Sequence, residues 1–419
     1  MTMTVNSRIS GFYKLSVDDR RAEIKKQAVL TAEEDESLKE GGITLDHANR
    51  MIENVVGKFS LPFGIATNFQ INGRDYLIPM VSEEPSVVAA ASNAAKMARD
   101  GGGVKAESTE PLMIGQVQLV GTKPDAAERI MQMRDGLIQA ANSRDATLIK
   151  FGGGAKDIEV RKVKSKRGEM VVVHLIVDVR DAMGANAVNT MCETIAPILE
   201  KASGGKAVLR IISNYSILRT AKATAVFTKE SLGGSEVVNA ILDAYALAEA
   251  DVYRAVTHNK GIMNGVSALV LATGNDTRAV EAGCHAYASR SGRYTSLTEW
   301  SETKSGDLEG RIEIPAAVGL VGGATKTHPT AKAAVRILGV KSARELEEVM
   351  AAVGLAQNLA ALKALSTEGI QRGHMNLHAK NIAVMAGAKE GEVDAVAEKI
   401  SKEGRINVDR AREILHELR

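Results

Sequence analysis

Apolar and polar positions alternate with different periods along this chain, and the order of elements is clearest between Pro111 and Asn214. Residues 113–120 read as a strand, and 125 to about 144 as one helix with Pro124 at its start. Residues 157–164 and 170–179 read as two strands joined by a turn at Lys166-Arg167-Gly168. A helix over 184–202 stops at Gly204-Gly205, and 207–213 is a strand. The order is β-α-β-β-α-β, the split βαβ pattern, which predicts a ferredoxin-like small domain over 111–214. The flanks, 1–110 and 215–368, then form one larger α/β domain. It holds a helix over 85–99 that starts with Pro85 and stops at Gly101-Gly102-Gly103, and a second over 236–249 with a broad apolar stripe. The small and β-branched run 266–272 reads as a buried strand, with His258 to Gly265 as a polar loop before it. Residues 369–419 are more polar and helical, with amphipathic segments at 393–400 and 409–418. They predict a small C-terminal domain hinged near Gly369 or Gly373.

Composition narrows the function classes. At 419 residues and 45% apolar content, two or three domains with large cores are expected. A net charge of +2 gives no argument for nucleic acid or a membrane surface. Split βαβ domains also bind RNA, but that use needs aromatics on the central strands, and 170–179 and 207–213 supply none. The start of the chain lacks a signal-peptide core, and no apolar run is long enough to span a bilayer. Cys192 and Cys284 match no metal or redox spacing, so a reducing cytoplasm is the expected location.

The candidate chemistry sits on loops and element ends. Lys260 lies among glycines, and Asp276 stands at the start of a helix near Thr277. A cation and a carboxylate flanking one buried segment could stabilise a developing oxyanion. Equally, Asp276 is a favoured helix cap and Lys260 an ordinary solvated lysine. Glu83 and Glu84 precede a helix, where acids suit the dipole. Neither GxGxxG nor a Walker A motif occurs. The turn Asp181-Ala182-Met183-Gly184-Ala185-Asn186 offers small residues and helix N-terminal amides, a cradle for a pyrophosphate or a plain capped turn. His374 and His378 stand four apart without a third ligand at recognisable spacing, which argues against a metal.

Six segments together resemble the 3-hydroxy-3-methylglutaryl-CoA reductases. They are Glu53-Asn54-Val55-Val56-Gly57, Glu83-Glu84-Pro85-Ser86, Asp181 to Asn186, His258-Asn259-Lys260-Gly261-Ile262-Met263-Asn264-Gly265, Thr273-Gly274-Asn275-Asp276, and Gly373-His374-Met375 followed by His378. They occur in the family's order over nearly the whole chain. Lacking spans ahead of the catalytic portion, the chain is similar to the soluble class II enzymes.

The resemblance implies that the small domain is inserted into the larger one and holds a nicotinamide cofactor, with a homodimer sharing its active sites. It implies Glu84, Lys260, Asp276 and His374 as catalytic, and Asp181, Met183, Gly184, Ala185, Asn186 and Asn214 at the cofactor, with Gly322 and Gly323 on a loop near it. Ser86, Arg254, Asn264, Gln357 and Asn358 match substrate positions. Asp145 matches the aspartate of NADH-preferring members, where a carboxylate would accept from the adenosine ribose and repel a 2′-phosphate. Arg144 beside it could instead welcome that phosphate. The implied reaction interconverts HMG-CoA and mevalonate plus CoA through mevaldyl-CoA and mevaldehyde, with two hydrides from NAD(H). In that scheme Asp276 holds Lys260 and couples it to Glu84, and His374 protonates the departing thiolate. The alternative is a related NAD(P)H-dependent acyl-CoA thioester reductase acting on another acyl group.

Overall fold

A computed structural model of the chain describes residues 5–367, 369, 379–389 and 391–419. Three helices come first, α1 (Val17–Ala28), α2 (Ala32–Lys39) and α3 (Leu45–Met51), each capped by a hydroxyl from Ser16, Thr31 or Thr44. The hairpin β1 (Phe63–Ile71) and β2 (Arg74–Val81), helix α4 (Val87–Asp100) and strand β3 (Val104–Ser108) follow. The chain then builds a second unit from β4 (Leu112–Val120), α5 (Ala126–Gln132), α6 (Arg134–Asn142), α7 (Ala146–Lys150), β5 (Gly154–Ser165), β6 (Gly168–Asp178), α8 (Ala185–Ser203) and β7 (Lys206–Ile212). It returns through β8 (Thr220–Phe227), α9 (Lys229–Leu232), α10 (Ser235–Ala250), α11 (Val252–Ala272) and α12 (Thr277–Tyr287). The hairpin β9 (Thr298–Glu302) and β10 (Leu308–Pro315) and helices α13 (Gly323–Thr327), α14 (Pro329–Leu338) and α15 (Ala343–Ser366) complete it.

Two sheets result, in the orders β2-β1-β3-β8-β10-β9 and β5-β6-β4-β7. The second is wholly antiparallel and has the ferredoxin-like arrangement expected from the sequence. Alternate residues Met113, Val117 and Leu119 of β4 and Val171, Val173, Leu175 and Val177 of β6 point into one core with α8. Gly115 lies in the same row, where a Cβ would meet the Cys192 sulfur at 2.4 Å, so α8 sits close on the sheet. The first sheet, α4, α11 and α15 share a larger core. Helix α15 is long and apolar enough to cross a membrane, but 67% of its apolar window is buried, as befits the central helix of that core. Helices Val393–Lys402 and Val408–Leu418 close a separate cluster with Ala379, Ile382 and Ala383.

Two expectations are corrected. The single helix expected over 125–144 is two, α5 and α6, divided at Met133, and the short α7 follows. Asp145 turns its carboxylate onto the amide of Leu148, and Asn142 binds the backbone of Ala155 at both its oxygen and its nitrogen. These side-chain bonds compete with helix continuation. The expected loop and strand over 258–272 are one helix, α11. Gly261 and Gly265 are helical rather than loop residues; at Gly265 a Cβ would come within 2.9 Å of the Gln357 Cβ, so the glycine lets α11 approach α15 closely.

Candidate active site

Helix α11 sets the geometry around Lys260. Lys260 and Asn264 are four residues apart and share a face. Both reach Glu84, midway along the segment between β2 and α4. Lys260 Nζ donates to Glu84 Oε2 at 2.6 Å, and Asn264 Nδ2 donates to Oε1 at 3.1 Å. The Lys260 side chain is 58% exposed and that of Glu84 35%, so the pair faces an open space. Two residues beyond Glu84, Ser86 has φ +71°, a left-handed conformation that is unfavourable for a residue with a Cβ. Its side chain makes no capping bond to α4. A strained backbone beside an acid held by an ammonium is a recurrent mark of functional sites.

Glu83, Glu84, Pro85 and Ser86 line a cleft of about 1760 Å³. Its walls carry Arg8, Lys14, Arg20 and Lys96, and Asn381 of the C-terminal helical cluster also faces it. Sequence reasoning missed these N-terminal cations, because they fall outside every quoted segment and are scattered singly along the chain.

Asp276 lies elsewhere. It is the N-cap of α12, its Oδ1 accepting from the amides of Arg278 and Ala279 at 3.0 and 3.1 Å. It makes no ion pair with Lys260; the coupling of Lys260 to Glu84 through Asp276 is replaced by a direct contact. The reason is the helix: the twelve positions from Lys260 to Ala272 span about 18 Å at 1.5 Å per residue.

The Asp276 turn instead borders the second candidate cluster. Asn275 Oδ1 accepts from the amide of Gly319 at 2.7 Å, and a Cβ at Gly319 would lie 2.4 Å from the Met183 nitrogen. The Asp181 carbonyl accepts from Leu320 and Val321, and its carboxylate accepts from the Ala343 amide at 2.8 Å. Gly184, with φ +106°, opens α8 without a side-chain cap, so the amides of Ala185 and Asn186 face outward uncapped. Arg180 just before has φ +52°. A strained entry, a glycine and a bare N-terminus on a 19-residue helix suit an anion such as a pyrophosphate. Gly322 and Gly323 lie exposed at the start of α13, downstream of the same loop. Asn214 is exposed just past β7, its carbonyl so close to α12 that a Cβ on Gly283 would lie 2.7 Å away. Asp145 is the N-cap of α7 rather than a free acid at a helix end.

Of the candidate substrate residues, Arg254 lies in the first turn of α11, and burial lowers its pKa. Asn358 is buried in a polar network: its Oδ1 accepts from Trp300 and Thr298, and its amide meets His258 Nε2 at 3.1 Å. His258 is pushed down to about 3 by burial and by the charge of Arg254, so this imidazole is neutral. Gln357 Oε1 is buried without a hydrogen-bond partner among the described residues. His374 and His378 lie outside the described residues. Among the described residues no cluster of potential ligands could hold a metal ion.

The chain is a two-unit α/β protein with a ferredoxin-like sheet inserted between β3 and β8, an uncapped helix N-terminus after that sheet's β6, and a Lys260–Glu84 pair whose carboxylate lines a large cleft. Residues 16–379 match the hydroxymethylglutaryl-coenzyme A reductase family. The chain is 57% identical over 417 residues to the 3-hydroxy-3-methylglutaryl-coenzyme A reductase of Archaeoglobus fulgidus, covering 99% of this chain and 95% of that one. It superposes on the 3-hydroxy-3-methylglutaryl-coenzyme A reductase of Streptococcus pneumoniae with TM-score 0.83 at 41% identity, covering 98% of this chain and 99% of that one. A structure of the class II enzyme from that organism, bound to NADPH in open conformations, gives TM-score 0.81 at 41% identity over 96% of this chain and all (100%) of that one. The chain belongs to the HMG-CoA reductase family and interconverts HMG-CoA and mevalonate with a nicotinamide cofactor.

Proposed function

We propose that Glu84, Lys260, Asp276 and His374 carry this reaction, and that the cleft beside Glu84 takes the acyl-CoA. The observation that carries the reading is the contact of Lys260 at 2.6 Å with Glu84, which lines that cleft. When bound, the nicotinamide supplies a hydride in each of two reductions. In the first, the thioester carbonyl becomes an oxyanion, and the compact ammonium of Lys260 stabilises it. Asn264 keeps the second oxygen of Glu84 engaged, so the acid is fixed in orientation. Collapse of the mevaldyl-CoA hemithioacetal expels CoA thiolate, which His374 protonates, an imidazole being suited to proton donation near neutrality. In the second reduction mevaldehyde becomes mevalonate, the proton coming from Glu84 or Lys260. Arg8, Lys14, Arg20 and Lys96 offer positive charge to the phosphates of CoA. Ser86, Arg254, Asn264, Gln357 and Asn358 are assigned to substrate binding.

The nicotinamide cofactor is assigned to Asp181, Met183, Gly184, Ala185, Asn186 and Asn214, with Gly322 and Gly323 nearby and NAD(H) favoured by Asp145. A homodimer supports Asp276: within one chain a helix separates it from Lys260, whereas a second copy can bring it to that ammonium. The two cysteines are unpaired and buried, in keeping with a cytoplasmic enzyme. Residues 111–214, the flanks 1–110 and 215–368, and 369–419 are taken as cofactor domain, substrate and dimerisation domain, and C-terminal flap. The test is a spectrophotometric comparison of NADH and NADPH with HMG-CoA. Turnover with NADH at the lower KM is expected; oxidation with other acyl-CoAs but not HMG-CoA would sink the reading.

A further inference from the structure

Arg219 and Glu347 form an ion pair with no exposed side-chain surface on either partner. Arg219 stands just before β8, where the chain re-enters the larger sheet, and Glu347 lies in the second turn of α15. Arg219 Nε and Nη2 both approach Glu347 Oε1, at 2.8 and 2.7 Å. The rest of the guanidinium serves backbone carbonyls. Nη1 donates to Ala182 at 3.0 Å and to Met183 at 3.4 Å, and Nη2 donates to Val318. Ala182 and Met183 belong to the Asp181–Asn186 turn; Val318 opens the loop on which that turn rests, with Gly319 in near contact with Met183.

Stability does not account for this pair. A buried ion pair roughly breaks even against apolar residues of the same volume. Here Glu347 Oε2 has no hydrogen-bond partner among the described residues, so the carboxylate is not even fully satisfied. What the pair achieves is positional. Five donors in a rigid planar fork can hold three carbonyls from two loops and one carboxylate oxygen at once, which a three-donor ammonium cannot. Glu347 fixes that fork to the central helix α15, whose own first amide, on Ala343, also holds the Asp181 carboxylate.

We infer that Arg219, oriented by Glu347, is a positioning residue that sets the Asp181–Asn186 turn, and so the amides of α8, for the dinucleotide pyrophosphate. The inference rests on the reading of that turn as the cofactor cradle. It is tested by titrating the full-length enzyme with NADH and following cofactor fluorescence, with KM for HMG-CoA measured alongside. The variants are Arg219→Lys, the double variant Arg219→Met/Glu347→Leu, which removes both charges together, and Asn186→Asp. The last places a negative charge in the cradle at a helix position that tolerates acids. NADH affinity should fall roughly ten- to hundredfold in the double variant, less in Arg219→Lys, with KM for HMG-CoA within about twofold of wild type. An unchanged NADH affinity in the double variant, with Asn186→Asp weakened, overturns the role of Arg219 and leaves the cradle standing. Unchanged affinity in both overturns the cradle and the inference with it. Equal losses for NADH and HMG-CoA show a general structural role and also overturn it. If the double variant does not fold, Arg219→Lys decides by the same split: lost NADH affinity with KM for HMG-CoA kept supports the inference, and wild-type NADH affinity overturns it.

Discussion

Replacing Lys260 by Met separates stability from catalysis at one position. Lysine and methionine have similar helix propensities, so α11 is little affected. The lost ion pair is well exposed at Lys260 and partly so at Glu84, and such pairs contribute about 0–1 kcal/mol. At roughly 2–4 °C per kcal/mol, the melting temperature should move by only a few degrees. Removing a preorganised donor from a developing oxyanion costs about 2.7–4 kcal/mol, or roughly 10²–10³ in kcat. The two effects therefore differ by enough to be told apart. The assay follows NADH oxidation with HMG-CoA and, separately, with mevaldehyde, on protein whose melting curve has been recorded. Both reductions should fail, because each makes an oxyanion at the same carbon, while the melting curve stays near that of wild type. A variant retaining more than about a tenth of wild-type kcat on either substrate would refute the assignment. So would an activity loss matched by a collapse in stability.

His374→Gln should impair thioester reduction far more than mevaldehyde reduction, since only the first expels a thiolate; equal losses would remove it from that role. Asp145→Asn keeps the cap on α7, because asparagine also accepts from the Leu148 amide, yet removes the charge. The NADPH-to-NADH ratio of kcat/KM should rise, and an unchanged ratio would assign the preference to another group. His258 has its folded pKa pushed down to about 3 from 6.5, so the unfolded state binds the extra proton between those values. Its contribution is fully present above the unfolded pKa and lost as pH falls toward the folded one, by on the order of 1 kcal/mol per pH unit. Urea midpoints taken at neutral pH and near pH 5 should therefore fall more for wild type than for His258→Gln, and parallel losses would contradict the neutral, buried imidazole.

The small domain was legible because each of its signals was local. Alternation in β4, the apolar run of β6, the αL glycine Gly204 after α8 and the tight turn before Gly168 all act within a few residues. Helix α11 was misread for the opposite reason. Its period of buried positions, through Ala255, Ile262, Val266, Leu269 and Val270, is helical over the whole segment. The interior glycines resemble loop punctuation until the close approach to Gln357 gives Gly265 a packing reason. That error carried through to the site. On a loop, Lys260 could lie beside Asp276 in the same chain; on a rigid helix it points to Glu84, while Asp276 caps α12 beyond the other end of α11. The buried Arg219–Glu347 pair was invisible for a further reason, since its partners are 128 residues apart and its acceptors are mostly backbone carbonyls that carry no sequence signature. A straight α11 therefore bears on function as well as fold: in the proposed homodimer, the Asp276 that meets Lys260 comes from the second chain. Dilution to a monomeric state should then abolish turnover while leaving NADH bound at the Asp181–Asn186 turn, and a fully active monomer would exclude Asp276 from the chemistry.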